Sequence, residues 1–171
     1  MQKPELRSRL ADLHAESFGW ALNCCRGEPS VAEDVLQTAY LKVLDGRAKF
    51  TSKSGFKTWL FGVIRNTALD EHRRNRLRRI GMLRFTPDNA QAPAPTPEMA
   101  ARISESRQHL QALLQHLSTR QREVLHLVFY QDLTIAAAAD VMGISLGAAR
   151  KHYERGKRQL RKQLGEGRGE H

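Results

Sequence analysis

Two runs of basic residues are the features of this sequence best fitted to chemistry, and what they fit is the capture of a polyanion. The first reads His72-Arg-Arg-Asn-Arg-Leu-Arg-Arg79 and the second Arg150-Lys-His-Tyr-Glu-Arg-Gly-Lys-Arg158, continuing to Arg161 and Lys162. On a helix, Arg150, Lys151, Glu154 and Arg155 share one face, because i, i+1, i+4 and i+5 cluster within about a quarter turn. Arg is the usual reader of guanine edges in a major groove, and Glu accepts from cytosine. Lys157, Arg158, Arg161 and Lys162 are better placed for phosphates. In the first half of the chain, Phe50, Phe56 and Trp59 stand beside Lys53 and Lys57. Aromatic faces among positive charges suit unstacked single-stranded bases better than a closed duplex. Asn66 and Asp70 lie one helical turn apart, and an Asn there either reads a base or caps a backbone group.

Catalytic signatures are missing. Seven histidines (14, 72, 109, 116, 126, 152 and 171) are scattered without H-E-x-x-H or other metal-ligand spacing. His109 and His116 are two helical turns apart with no acidic partner nearby and read as surface residues. Phosphate-loop and nucleophile-elbow motifs are absent. Cys24 and Cys25 are adjacent, so they form neither a disulfide framework nor a zinc site, and they read as buried inert thiols. The expectation is a non-enzyme with no metal and no cofactor.

Across the 171 residues the net charge is +10, with 40% hydrophobic and 27% charged residues, a globular composition that excludes wholesale disorder. No apolar run reaches the ~18 residues of a membrane span; the longest, Trp59–Ile64, stops at Arg65. Glu5, Arg7, Arg9, Asp12 and Glu16 interrupt the first twenty residues, so no signal segment is expected. A cytoplasmic, reduced protein without membrane insertion follows.

The elements that must position these groups are helices. Four of the six prolines (Pro87, Pro93, Pro95, Pro97) fall between Thr86 and Glu98, a stretch too polar to bury and unable to propagate a helix. On either side apolar residues recur at helical spacing, with no strand alternation or hairpin turn. The expected fold is all-α: two small helical domains, 1–84 and 100–171, joined by a Pro-rich flexible linker over 85–99. Both domains are basic, +7 over residues 1–84 and +3 over 85–171.

In the second domain Ser118-Thr-Arg-Gln121 has the form of a capping box that starts a helix, with Leu117, Val124, Leu125 and Val128 as its buried stripe. Thr134 caps a short helix over 135–142 that buries Ile135, Ala138, Ala139 and Met142. Gly143 supplies a positive-φ turn and Ser145 caps a third helix. Its expected seam is Ala149, Tyr153, Gly156, Leu160 and Leu164, with Gly147, Ala148 and Ala149 allowing close packing. A short helix, a Gly-centred turn and a basic helix make a helix-turn-helix. In the first domain, residues 31–44 form a helix with Val35, Ala39 and Val43 inward and Leu36 and Tyr40 at the seam. Its outer face mixes Asp34, Gln37, Thr38 and Leu41, which suits a protein partner. Phe61 and Ile64 read as core.

With these residues in place the chain resembles a bacterial RNA polymerase sigma factor of the sigma-70 family, extracytoplasmic-function (ECF) group. Ala32-Glu-Asp-Val-Leu-Gln37 looks like that family's polymerase-binding motif. Phe56-Lys-Thr-Trp-Leu-Phe-Gly-Val-Ile-Arg-Asn66 with Asp70, Arg73 and Arg74 looks like its promoter-melting segment. Leu117–Leu125 and the helix-turn-helix look like its −35-reading domain. The resemblance spans about residues 10 to 164, with the motifs in the family's order.

The resemblance implies that promoter DNA and core RNA polymerase are partners, with an anti-sigma factor as a further one. Glu33, Asp34, Gln37, Thr38 and Leu41 would dock on the clamp helices of the largest subunit, and the second domain on the flap of the second-largest. Phe50 and Asn66 would handle a flipped base of the −10 element in a pocket beside Trp59, and Lys53 and Asp70 would belong to the same −10 and melting surface. Arg65, Arg73, Arg74 and Arg76 would hold the backbone near the melting start. Arg150, Lys151, Glu154 and Arg155, with Lys157 and Arg158, would engage the −35 element. Two departures stand out: Ala137-Ala138-Ala139 replaces the usual Glu-Ile-Ala, and Gly147-Ala148-Ala149 the usual Gly-Thr-Val. A helix-turn-helix regulator without a sigma role is the rival reading, and it leaves the first-domain motifs unexplained.

Overall fold

The computed structural model describes residues 3–81, 113–114 and 116–166, and among them regular structure is helical throughout. The tether expected over 85–99 lies outside the described residues, as do His109 and His171. The first half contributes α1 (Lys3–Asp12), α2 (His14–Cys24), α3 (Pro29–Leu44) and α4 (Phe56–Gly81). Arg26 and Gly27, both at positive φ, turn the chain between α2 and α3. Pro29 then stands in the first turn of α3, where its missing N–H costs nothing. Val35, Ala39 and Val43 point inward as the spacing predicts, and Leu36 is buried with them. Trp20, Leu60, Phe61 and Ile64 complete this core, all fully buried. The Trp20 indole N–H donates to the Phe61 carbonyl at 3.0 Å, so the largest core side chain leaves no polar atom unsatisfied.

The second half contributes α5 (Thr119–Phe129), α6 (Ile135–Met142) and α7 (Leu146–Glu166). Each starts where a side-chain oxygen can satisfy an orphan amide. Ser118 and Gln121 form a reciprocal capping box, Thr134 Oγ1 accepts from Ala137 N at 3.1 Å, and Ser145 Oγ accepts from Ala148 N at 3.1 Å. Gly143 closes α6 in the left-handed region at φ 63°. The helix-turn-helix therefore has the boundaries its capping residues dictate.

Four packing expectations need correction. Val128 is only half-buried, and Leu127 is the buried residue of that stretch of α5. Ile135 is only half-buried, and Val141 takes its place in the core of α6. The seam of α7 holds through Ala149, Tyr153, Gly156 and Leu160 but ends there, and Leu164 is 53% exposed. Close approach is also not made at Gly147, around which a Cβ would meet nothing within 4 Å. It is made at Gly156, where a Cβ would stand 2.9 Å from Leu125 Cδ1 and 3.3 Å from Gln121 Cβ.

The halves do not hang apart. α2 packs on α5 and α4 packs on α6, so the helices of both halves share one continuous core. Gly62 on α4 faces the Val141 carbonyl of α6 across this junction. Gly156→Val should destabilise the chain by about 1–3 kcal/mol through overpacking against α5, read as a lowered urea midpoint. Gly156→Ala should lose less, because improved helix propensity of about 1 kcal/mol offsets part of the clash.

Candidate nucleic-acid interface

On α7, Arg150, Lys151, Glu154, Arg155 and Arg158 are all exposed on the side away from the buried seam. Lys157 is half-buried, 3.7 Å from Glu154 and 4.7 Å above the Tyr153 ring. The short caps and Gly143 fix the angle between α6 and α7, and Gly156 fixes how closely α7 lies on α5. The result is a rigid basic ridge. Of the two departures on α6, Ala138 is buried, where its small side chain lets the helix sit close to its neighbours, and Ala137 is half-buried.

In the first half the structure assembles some expected groups and separates others. Phe50, Phe56 and Trp59 form one aromatic cluster, with ring centroids 5.3–5.5 Å apart and the Arg9 guanidinium 5.5 Å from the Phe56 ring. Phe50 and Asn66, however, do not share a pocket. Phe50 lines a cavity of about 330 Å³ with Lys3, Lys49 and Leu44, whereas Asn66 lines one of about 240 Å³ with Ser54, Thr58 and Asp140. Trp59 lines both. Lys53 is exposed on the loop above. Asp70 is engaged by Lys42 at 3.4 Å, which joins α3 to α4. Phe61 and Ile64 are core, as read.

Beyond Ala68, α4 buries nothing. Its last two to three turns carry Arg73, Arg74, Arg76, Arg78 and Arg79 together with exposed Leu77 and Ile80. Arginines near a helix C-terminus also complement its macrodipole. On α3, Glu33, Asp34, Gln37 and Leu41 are exposed along one outer face, with Thr38 half-buried at its edge.

Arg65 is placed differently from its neighbours. It donates through Nε to Glu123 Oε1 at 2.9 Å and through Nη2 to Oε2 at 3.2 Å, a bidentate pair joining α4 to α5. The two side chains are only 11% and 6% exposed. Lys57 reinforces the junction, donating to the Gln131 carbonyl at 2.8 Å and pairing with Glu16. None of Glu123, Gln131 or His126 is among the site residues expected from the sequence. A signal existed for Glu123: it falls on the inward stripe of α5 beside Val124 and Leu127, and a buried carboxylate requires a cation.

His126 packs between the Trp20 ring at 5.5 Å and the Tyr130 ring at 5.3 Å, with Gln131 Nε2 3.2 Å from its own Nε2. Burial pushes its pKa from 6.5 down to about 4. Burial likewise raises the Cys25 thiol to about 11 and Cys24 well above its ordinary value, so neither is a ready thiolate at neutral pH. Among the described residues, no group of three or more His, Cys, Asp or Glu side chains could hold a metal. No described helix is long and apolar enough to cross a membrane.

Against known families, residues 13–78 match sigma-70 region 2 and residues 113–162 match sigma-70 region 4. The RNA polymerase sigma factor CarQ of Myxococcus xanthus is 31% identical over 137 residues, covering 80% of this chain and 76% of that relative. This chain is a sigma-70 family sigma factor of the ECF group. The ECF RNA polymerase sigma factor SigX of Bacillus subtilis is 29% identical over 135 residues, 77% of this chain and 70% of the relative. In fold, the sigma factor RpoE of Bartonella quintana, solved in complex with the anti-sigma factor NepR, superposes with a TM-score of 0.69. That match has 23% identity and covers 94% of this chain and 97% of the other. In this sigma factor α3 and α4 thus belong to region 2, and the helix-turn-helix to region 4.

The junction should make its stability depend on acid. Between pH 6.5 and about 4 the unfolded chain protonates His126 while the folded chain does not. Stability is therefore complete above pH 6.5 and falls as pH drops toward 4, by up to about 1.4 kcal/mol per unit. Urea titrations across that range should show the loss, and His126→Gln should flatten it.

Proposed function

We propose that this sigma factor binds core RNA polymerase through the outer face of α3, reads a −35 element in duplex form with α7, and holds the separated −10 strand along α4. The observation carrying this reading is the order on one chain of a region 2 match and a region 4 match, each with an exposed basic surface of the appropriate kind. The face of Arg150, Lys151, Glu154 and Arg155 suits base edges, while Lys157 and Arg158 suit phosphates. On region 2, Trp59 lines two cavities, an arrangement fitted to stacking with unpaired bases. Phe50 and Lys53 serve one and Asn66 the other. Arg73, Arg74 and Arg76 hold the strand's backbone, joined by Arg65 when it is free, and Asp70 orients Lys42 and the α3–α4 contact.

Glu33, Asp34, Gln37, Thr38 and Leu41 supply the contact to the polymerase clamp helices, with region 4 reaching the flap. Residues 1–84 and 100–171 act as the two working domains and 85–99 as the tether between them. The chain carries no catalysis of its own and works in the cytoplasm beside the polymerase. An anti-sigma factor is a further partner in this reading, which the RpoE complex with NepR supports. A helix-turn-helix regulator acting without polymerase would have no use for region 2.

The test is run-off transcription with purified bacterial core polymerase on DNA upstream of the chain's own gene. A discrete transcript dependent on the protein is expected, and its start point locates both promoter elements. Neither transcript nor co-elution with core polymerase would sink the sigma mechanism. Arg150→Ala and Arg155→Ala should each cost about 1–3 kcal/mol at a cognate −35 site while sparing co-elution. Asp34→Ala with Gln37→Ala should do the reverse, weakening co-elution without altering the circular dichroism spectrum.

A further inference from the structure

Glu154 is the one carboxylate on the reading face of α7, and four cations stand within about a turn of it: Arg150 and Lys151 before, Lys157 and Arg158 after. Residues three or four apart on a helix are neighbours, so each of the four could draw the carboxylate to itself. Among the described residues only Lys157 pairs with it, Nζ to Oε1 at 3.7 Å. That ammonium is not free to swing. It lies 4.7 Å above the Tyr153 ring, and its side chain is 25% exposed where that of Glu154 is 62% exposed. Tyr153 is itself held, with the Phe129 ring of α5 stacked 5.9 Å away at an inclination of 23°. Phe129 belongs to the exposed surface rather than the core, and this stacking gives its ring a task. The three side chains form a brace that runs from α5 through Tyr153 and Lys157 to Glu154.

We propose that Lys157 is a positioning residue and not a phosphate ligand: braced on Tyr153 and Phe129, it aims Glu154 and so sets a preference for cytosine at one step of the −35 element. The proposal rests on the −35 reading given above and replaces the phosphate role that the type and spacing of Lys157 suggest. A carboxylate accepts from the cytosine amino group only while it is extended toward the base edge. Collapse onto a guanidinium of its own helix would silence both groups. Pairing with Lys157 prevents that collapse and leaves Arg150, Lys151, Arg155 and Arg158 without an ion pair among the described residues. It also sets a positive charge beside the carboxylate, which offsets repulsion by the DNA phosphates. To reach a phosphate, Lys157 would have to leave both the ring and the carboxylate, and Glu154 would fall to Arg150 or Arg158 four residues away.

The experiment uses the full chain assembled with core polymerase, and a labelled duplex across the −35 element whose place the run-off start point gives. Glu154→Ala identifies the base pair that Glu154 reads, as the position whose preference it flattens. There the unaltered chain should favour cytosine by about tenfold. Lys157→Met, which keeps the stem and removes the charge, should cut this preference by about fivefold. It should leave the slope of log affinity against log salt unchanged. Lys157→Arg should hold the preference within about twofold, because a guanidinium also stacks on a ring and pairs with a carboxylate. Tyr153→Leu, checked for helix content by circular dichroism, should lower it by about threefold with Lys157 intact. Arg158→Ala is the contrast: it should weaken all sequences alike and reduce the slope by about one.

A slope reduced by about one in Lys157→Met would return this lysine to the phosphates and overturn the proposal, as would an undiminished cytosine preference. Full preference in a folded Tyr153→Leu chain would overturn the brace. If Glu154→Ala flattens no position while Arg150→Ala does, Glu154 is no reader and the proposal falls with the −35 reading intact. A failure of the −35 reading itself looks different: neither Glu154→Ala nor Arg150→Ala then changes the preference at any position.

Discussion

A single ion pair organises this molecule. Arg65 and Glu123 are 58 residues apart in sequence and almost wholly withdrawn from water. Each would be expensive to bury alone, and removing either partner leaves a stranded charge. The pair therefore specifies rather than cements: it permits one registration of α4 against α5 and penalises others. Around it the junction collects groups that tolerate burial only in partnership. The Trp20 indole finds a carbonyl, Lys57 finds one carbonyl and one carboxylate, and His126 stays neutral between two rings. Polar side chains thus set the register of a contact whose area is supplied by small and aliphatic residues such as Gly62, Ala138 and Val141.

The two halves differ in how they reach rigidity. Region 2 is built around large side chains, with Trp20, Phe61, Leu60 and Ile64 fully enclosed. Region 4 is built from short helices and exact stops: α5, α6 and α7 each begin at a hydroxyl cap, and the turn between α6 and α7 depends on one left-handed glycine. That difference matches their surfaces. A long helix running past its core, as α4 does, presents an extended track to a flexible strand. A short, heavily capped unit presents α7 at a fixed angle, as a regular duplex requires.

Local features were legible in the sequence because their causes are local. Ser118, Thr134, Gly143 and Ser145 act through amides within three residues or through their own φ, so they marked the boundaries of α5, α6 and α7 directly. The outward face of α3 followed from period alone. What escaped was set by partners distant in sequence. Arg65 looked like one more phosphate ligand because nothing within a few turns of it carries Glu123. Phe50 and Asn66 looked like one site because the sequence places both near Trp59, but each lines a different cavity, and only Trp59 lines both. Gly147 and Gly156 both sit where α7 needs small residues, and only the position of Leu125 decides which one is indispensable.

The division of labour along α7 has a consequence for descent. Ala149, Tyr153, Gly156 and Leu160 anchor the helix, while Arg150, Lys151, Glu154 and Arg155 project from its far side. Mutations on the projecting side leave packing untouched, so they are filtered by which sequences they prefer and hardly at all by whether the chain folds. A duplicated gene could therefore drift to a new set of targets in single steps, each passing through a stable protein. The glycine that welds α7 to α5 is what makes such divergence safe, because the frame stays fixed while the reading surface changes.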